Sequence, residues 1–203
     1  SSRMTEDPNA WKETFDADSL VNYYILMEFL SINDAFGAST YFYRDARGRL
    51  AIGPVWDFNN ALDNFYRPLE ENEFLLSQRS WYAMLMQDEE FVERVISRYR
   101  QLRQGILSEE RLVAYEEEIV EWLGSAIDRN FEVWGYSFDP EKLDSRERRR
   151  PGKGSMETLR SVNPSSHEEA VEQMVNYMVN RGRWLDEHID SLRQYCHPSR
   201  FAS

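Results

Sequence analysis

Asp57, which ends the run Gly53-Pro54-Val55-Trp56, and Asp34, which follows the apolar stretch closing on Phe29-Leu30, set carboxylates at the ends of apolar elements. Such an arrangement suits a metal and a phosphate. A strand ending in Pro-Val-Trp hands its next residue to a rim where a cleft can open, and Asp57 has two oxygens to offer a hard divalent cation there. Each position also has a plainer reading. Asn33-Asp34 is also what a helix C-terminus and turn look like, and Asp57-Phe58-Asn59-Asn60 could cap a helix running on through Ala61 and Leu62. Trp56 reads equally as core, and Asp63 as a cap or solvated residue before a metal ligand. Other site chemistries have less support. Cys196 is the single cysteine, so neither an intrachain disulfide nor a cysteine-based zinc site can form. His167, His188 and His197 lie scattered in surface-like contexts, giving little basis for a histidine metal site or a Ser-His-Asp arrangement.

Composition narrows the function classes. The 203 residues carry 36 acidic against 24 basic side chains, a net charge of -12, so a nucleic-acid backbone or an anionic membrane surface is disfavoured as a general partner. Aromatics make up 14% of the chain, six of them Trp, at a mean hydropathy of -0.68. That wealth of rings argues against disorder and for a real core. A chain of this length is expected to form a single domain over 1–203 and to bury roughly 70% of its unfolded surface. No apolar run approaches the length that spans a bilayer, and the first residues lack a signal-peptide core.

Several elements must position the carboxylates. Asp16-Ala17-Asp18-Ser19 supplies cap chemistry before Leu20, Val21, Tyr24, Ile25, Met27 and Phe29, a set dense enough to predict a helix buried on most sides. Tyr41-Phe42-Tyr43, a turn through Arg44-Asp45-Ala46-Arg47-Gly48, and Leu50-Ala51-Ile52 read as a β-hairpin that feeds the Trp-Asp segment. Residues 67–72 read as a loop. Trp81, Leu85, Phe91, Val95, Ile96, Tyr99 and Leu102 recur at helical spacing through two helices with Asp88 capping the second.

Gly105 closes that unit, and Ser108 opens a long amphipathic helix whose apolar face runs from Leu112 through Ile127 to about Trp134. Residues 137–166 shift to charges, Pro and Gly, with the basic run Arg146 to Lys153 at the centre, and read as a mobile loop able to contact an acidic substrate or a neighbouring lobe. Ser166 with Glu169 starts a last helix reaching about Tyr195. Met84, Met86, Met174 and Met178 are expected to fill core. The fold class that results is α+β and predominantly helical, with a short hairpin carrying the Trp-Asp motif.

The order of helix, Asn33-Asp34, aromatic hairpin and Gly-Pro-Val-Trp-Asp-Phe resembles the CotH-type spore-coat protein kinase family, marked by a Pro-x-Trp-Asp-(Phe/Trp)-Asp segment. Trp81, the Asp88 to Phe91 helix start, Arg98-Tyr99 and Arg181 to Leu185 extend the resemblance over most of the chain. It implies a kinase-like domain, similar to a C-terminal lobe, that uses ATP with Mg2+ or Mn2+ to transfer a phosphoryl group to protein hydroxyls. Carried over by position, Asp34 matches the catalytic-loop aspartate, and Asp57 the metal-binding and nucleotide-binding aspartate, with Asn59 as a weaker metal ligand beside it. The expected partners are a protein substrate or a neighbouring lobe, and the implied setting is a spore coat, cell surface or secreted location.

Three departures accompany the resemblance. Asn59 stands where the family segment has a second acid, Ser39 where kinases commonly place a metal-binding Asn, and Ala38 where a Lys often precedes it. No Gly-rich loop and no strand-borne lysine can be found before residue 16. Two readings follow: the C-terminal part of a larger kinase-like enzyme, inactive as this fragment, or a degenerate, non-catalytic scaffold or binding module.

Overall fold

The computed structural model describes residues 10–32, 34–62, 73–134, 138 and 164–196. Within them the expected α+β, predominantly helical class is what is found. The helices are α1 (Ala10–Thr14), α2 (Ala17–Phe29), α3 (Tyr82–Leu85), α4 (Glu89–Arg103), α5 (Glu109–Leu123), α6 (Ala126–Trp134) and α7 (His167–His188), with a 3-10 helix at Ile189–Tyr195. Strands β1 (Phe42–Tyr43) and β2 (Ala51–Ile52) pair antiparallel, Phe42 opposite Ile52 and Tyr43 opposite Ala51. The loop expected at 67–72 and the basic run 146–153 lie outside the described residues, as do Asn33, Asp63 and His197.

Helix α2 is the axis of the core. Asp16 caps it by accepting from the Ser19 amide at 2.7 Å, and eight of its thirteen residues are buried, so it is enclosed on nearly every side as its sequence predicts. It packs on α4 and β2 and is crossed by α7. Between these layers, Tyr24, Tyr82, Phe91 and Tyr99 are almost wholly buried, and the three tyrosine hydroxyls are satisfied: Tyr24 pairs with Ser77 at 2.7 Å, Tyr82 donates to the Leu20 carbonyl at 2.7 Å, and Tyr99 donates to the Gly182 carbonyl at 2.9 Å. Rings bring large apolar area, and a buried hydroxyl is tolerated only with a partner.

One charged pair sits inside this core. Glu28 and Arg181, both 1% exposed, meet at 2.9 Å, and Arg181 Nε also donates to the Glu28 carbonyl at 2.9 Å. The other lone pairs of the Glu28 carboxylate accept the amides of Leu75 (3.0 Å) and Leu76 (2.6 Å), while the Arg181 guanidinium lies over the Trp184 ring at 4.6 Å. Helix α2, helix α7 and the segment entering α3 are thereby clamped at one point. Gly182, next to Arg181, allows the close approach of α4: a Cβ there would stand 3.0 Å from the Arg103 guanidinium, which pairs with Asp186 at 2.6 Å.

Three expectations are corrected and one element is added. The helix expected from Ser108 to Trp134 is broken at Gly124, which takes φ 46° and ends α5, and α6 begins two residues later. Its apolar positions do not form a core face, because neither α5 nor α6 buries a residue. A short helix, α1, precedes the capped one and plants Trp11 in the core, its indole donating to Asp88 at 2.9 Å. Met174 is 37% exposed rather than core, unlike Met86 and Met178. No helix among the described residues is long and apolar enough to cross a membrane.

Burial pushes the Glu28 carboxyl above its ordinary value of 4.5, with Arg181 and the Leu75 and Leu76 amides pulling it back down. A carboxyl whose folded pKa is raised binds its proton more tightly folded than unfolded, so the stability it contributes falls as pH rises through that window. Arg181→Met removes the strongest opposing partner and leaves a buried charge. Urea denaturation at neutral pH should show a loss of roughly 3–5 kcal/mol, shrinking as pH is lowered toward the ordinary glutamate range and Glu28 takes a proton. A loss under about 1 kcal/mol, or one that does not change with pH, would show that the pair is not the clamp described.

Candidate functional site

The site is built from two loops held by the hairpin and the end of α2. Strand β2 is tied on one edge to β1 and on the other to the chain before α2: Leu50 N donates to Thr14 O and Asp16 N to Leu50 O, both at 2.9 Å. Ser19, in the first turn of α2, accepts the Ile52 amide at 3.2 Å through its hydroxyl. Five residues beyond Ile52 the chain reaches Asp57, exposed and in the left-handed backbone region at φ 67°. Asp adopts that region more readily than most residues, because its short side chain bonds locally.

The first loop leaves α2 at Leu30, turns at Ser31 (φ 52°) and passes through Asp34 to Thr40. Gly37 and Ala38 donate their amides to the Asp34 carbonyl at 2.8 and 3.0 Å. Phe36 (φ 64°) and Ser39 (φ 52°) are also left-handed, a strained arrangement for an aromatic residue that needs outside support. That support is an aromatic floor. The Phe36 ring meets Tyr82 at 5.2 Å, Tyr23 and Phe42 at 6.0 Å and Trp81 at 6.1 Å. The Thr40 hydroxyl pins the loop from within, accepting the Phe36 amide at 3.0 Å, donating to Ala38 O and lying 3.2 Å from the Tyr23 hydroxyl.

Two hydrogen bonds join this loop to the second. Ser39 donates its hydroxyl to Asp57 Oδ2 at 3.2 Å, and Asn60 donates its side-chain amide to Asp34 Oδ2 at 3.2 Å. Leu62 (φ 55°) then donates its amide to the Leu30 carbonyl at 2.8 Å and closes the second loop back on α2. The Asp34 segment and the Asp57 segment therefore lie side by side, with Asp34 half-buried and Asp57 open to solvent. Asp34 is close enough to the Tyr23 phenol to add to the upward shift that burial gives it, against the Thr40 hydroxyl.

The described residues 58–62 form no helix, so the capping role open to Asp57 in the sequence is not seen there: Phe58 to Ala61 forms a turn. Trp56 is 64% exposed rather than core. Asn59, two residues beyond Asp57, is exposed. Among the described residues no three His, Cys, Asp or Glu side chains gather as a metal cage. Sequence reasoning singled out Asp34, Asp57 and Asn59 but gave no role to Asn60, Thr40 or Tyr23, which hold the loops in register. A signal for Asn60 was present in its position within the same turn as Asp57, since a side-chain amide there can reach only what the turn faces.

The left-handed backbone at Asp57 can be separated from its carboxylate. Asp57→Asn keeps both the conformational tolerance and the side-chain shape and should leave unfolding in urea within about 0.5 kcal/mol of wild type. Asp57→Val, β-branched at the same φ, should cost more than about 1 kcal/mol. Equal costs for the two would mean that the backbone there is not constrained.

No curated protein and no solved structure matches the chain. The family model described as CotH kinase protein matches residues 4–185, an extent that takes in both site loops, the Glu28–Arg181 clamp and all but the last turn of α7. The chain therefore belongs to the CotH kinase protein family.

Proposed function

We propose that this chain carries the acid-bearing part of a CotH-like protein kinase that moves the γ-phosphoryl group of ATP to a protein hydroxyl. The observation that carries the reading is the pair of cross-loop hydrogen bonds, Ser39 to Asp57 and Asn60 to Asp34, which keep an exposed carboxylate and a half-buried one on neighbouring loops. Phosphoryl transfer asks a protein mainly for positioning and charge neutralisation, so a few well-held oxygens suffice.

The donor set fits Mg2+ or Mn2+ in one particular way. Asp57, Ser39 and Asn59 offer hard oxygen atoms, too few for a protein cage but appropriate for an ion that keeps several waters and completes its shell with substrate phosphates. When bound, that ion would neutralise charge on the β- and γ-phosphate oxygens. In this reading Asp57 is its anchoring carboxylate and Asn59 a weaker neutral ligand. Asp34, oriented by Asn60, accepts the proton of the acceptor hydroxyl as its oxygen bonds to phosphorus and the bond to the β-phosphate oxygen breaks. Lys12 is the one lysine among the described residues, and it is engaged with Asp88 at 3.3 Å and Glu90 at 2.6 Å. Lys12 is thus not offered to the phosphates, and we expect little turnover from this chain by itself.

A second reading, a non-catalytic scaffold, is favoured by one specific feature. Ser39, where kinases commonly carry a metal-binding Asn, spends its hydroxyl on Asp57, and Asn59 supplies no charge to hold a divalent ion. Titration calorimetry with ATP and Mg2+ or Mn2+ separates the two. The kinase reading expects metal-dependent heat from the wild-type chain, its loss in Asp57→Asn, and its retention in Asp34→Asn. Radiolabel transfer to a protein acceptor, measured with the parent protein, should fall at least about 100-fold in Asp34→Asn. Absence of heat from both chain and parent would leave the scaffold reading standing.

A further inference from the structure

Helices α5 and α6 bury nothing, although both carry large apolar side chains: Trp122 and Trp134 are 80% and 78% exposed. Between these two helices and the first turns of α7 opens a cleft of about 520 Å³. Among the described lining residues, Val120, Ile127, Val171 and Val175 give it an apolar floor, Glu116, Asp128, Glu168 and Glu172 stand around it beside His167, and none is a lysine or arginine. Two acids of α5 outside the cleft are paired, Glu109 with Arg183 at 2.8 Å and Glu118 with Arg111 at 2.8 Å. Glu116, Asp128 and Glu172 form no ion pair with a described residue.

An apolar trough ringed by carboxylates, three of which form no ion pair with a described residue, selects a ligand that is apolar on one side and cationic on the other. Phosphate-bearing partners are repelled there, because four acids face the cleft in a chain whose net charge is already -12. We propose that this cleft docks a basic amphipathic segment of a partner protein, with its apolar side chains on Val120, Ile127, Val171 and Val175 and its lysines or arginines against Glu116, Asp128, Glu168 and Glu172. The site is separate from the Asp34 and Asp57 loops and does not depend on their chemistry. The exposed tryptophans of α5 and α6 give a larger partner further apolar surface on the same two helices, and aromatic residues of this kind recur where interfaces concentrate their energy.

The test uses a fluorescein-labelled synthetic peptide with leucine at helical i, i+3, i+4, i+7 spacing and lysine elsewhere, followed by fluorescence anisotropy against the full chain. Saturable binding that weakens with salt is expected. Glu116→Lys/Glu172→Lys should weaken it at least about tenfold, since like charges then face each other across the interface. Glu13→Lys/Asp45→Lys, which changes net charge equally at exposed positions outside the cleft lining, should leave it within about twofold. Val171→Ser, on the apolar floor, should weaken it several-fold and stands in if the first variant fails to fold. The proposal is overturned by an absence of saturable binding, by equal losses in the two charge-reversal variants, or by equal affinity for a peptide with glutamate in place of lysine. It is also overturned if light scattering shows a dimer that Glu116→Lys/Glu172→Lys dissociates, because the occupant is then a second copy of the chain.

Discussion

The structure depends on the contact between Glu28 and Arg181. A carboxylate near the end of a core helix cannot be buried alone, and here each of its oxygens is used, by the guanidinium and by the amides of Leu75 and Leu76. Isolated, either charge would be strongly destabilising. Paired, they contribute less to net stability than to uniqueness, since only one placement of α7 against α2 satisfies both. Arg181 makes the clamp stricter by also taking the Glu28 main-chain carbonyl, in the turn that leads out of α2 toward Asp34. The direction in which α2 releases the chain is thus set from across the core.

From that exit the site loops follow as consequences of local strain and its support. Phe36, Ser39, Asp57 and Leu62 all sit at positive φ, and none is glycine. Each such residue costs free energy, so the four together persist only because packing and hydrogen bonds over-determine them: the aromatic floor under Phe36, the Thr40 hydroxyl, the Leu62 to Leu30 bond, and the two cross-loop bonds. The unfavourable backbone thus falls at Asp57 itself and, on the other loop, at Phe36 and Ser39 just beyond Asp34. The residues that extend the family resemblance beyond the motif serve the same end. Asp88 caps α4 and holds Trp11, Tyr99 joins α4 to Gly182, and Arg181 completes the clamp. They are framework for the loops.

At the opposite extreme stand α5 and α6, with strong amphipathic patterning and no buried residue. Apolar periodicity states that one side of a helix prefers to leave water, and it is silent on what covers that side. Here α5 is fastened to the rest by ion pairs and by partial packing of Leu112 at its N-terminal turns, which leaves its later apolar positions at the surface.

The amino-acid order by itself determined the local elements and the identity of the acids. Capping side chains at Asp16, Asp88, Ser108 and Ser166 fixed where four helices begin, because a side-chain oxygen within reach of the following amides is a short-range property. Aromatic alternation around a polar turn marked the hairpin, and the spacing of Asn-Asp and Trp-Asp marked the family. Tertiary structure alone decided the rest. Nothing local announced that Glu28 would find Arg181 at a sequence distance of 153, that Gly124 would break one predicted helix into two, or that Asn60 would reach across to Asp34. Those outcomes turn on which groups remain to be satisfied once the core has closed, and that depends on every element packed around them.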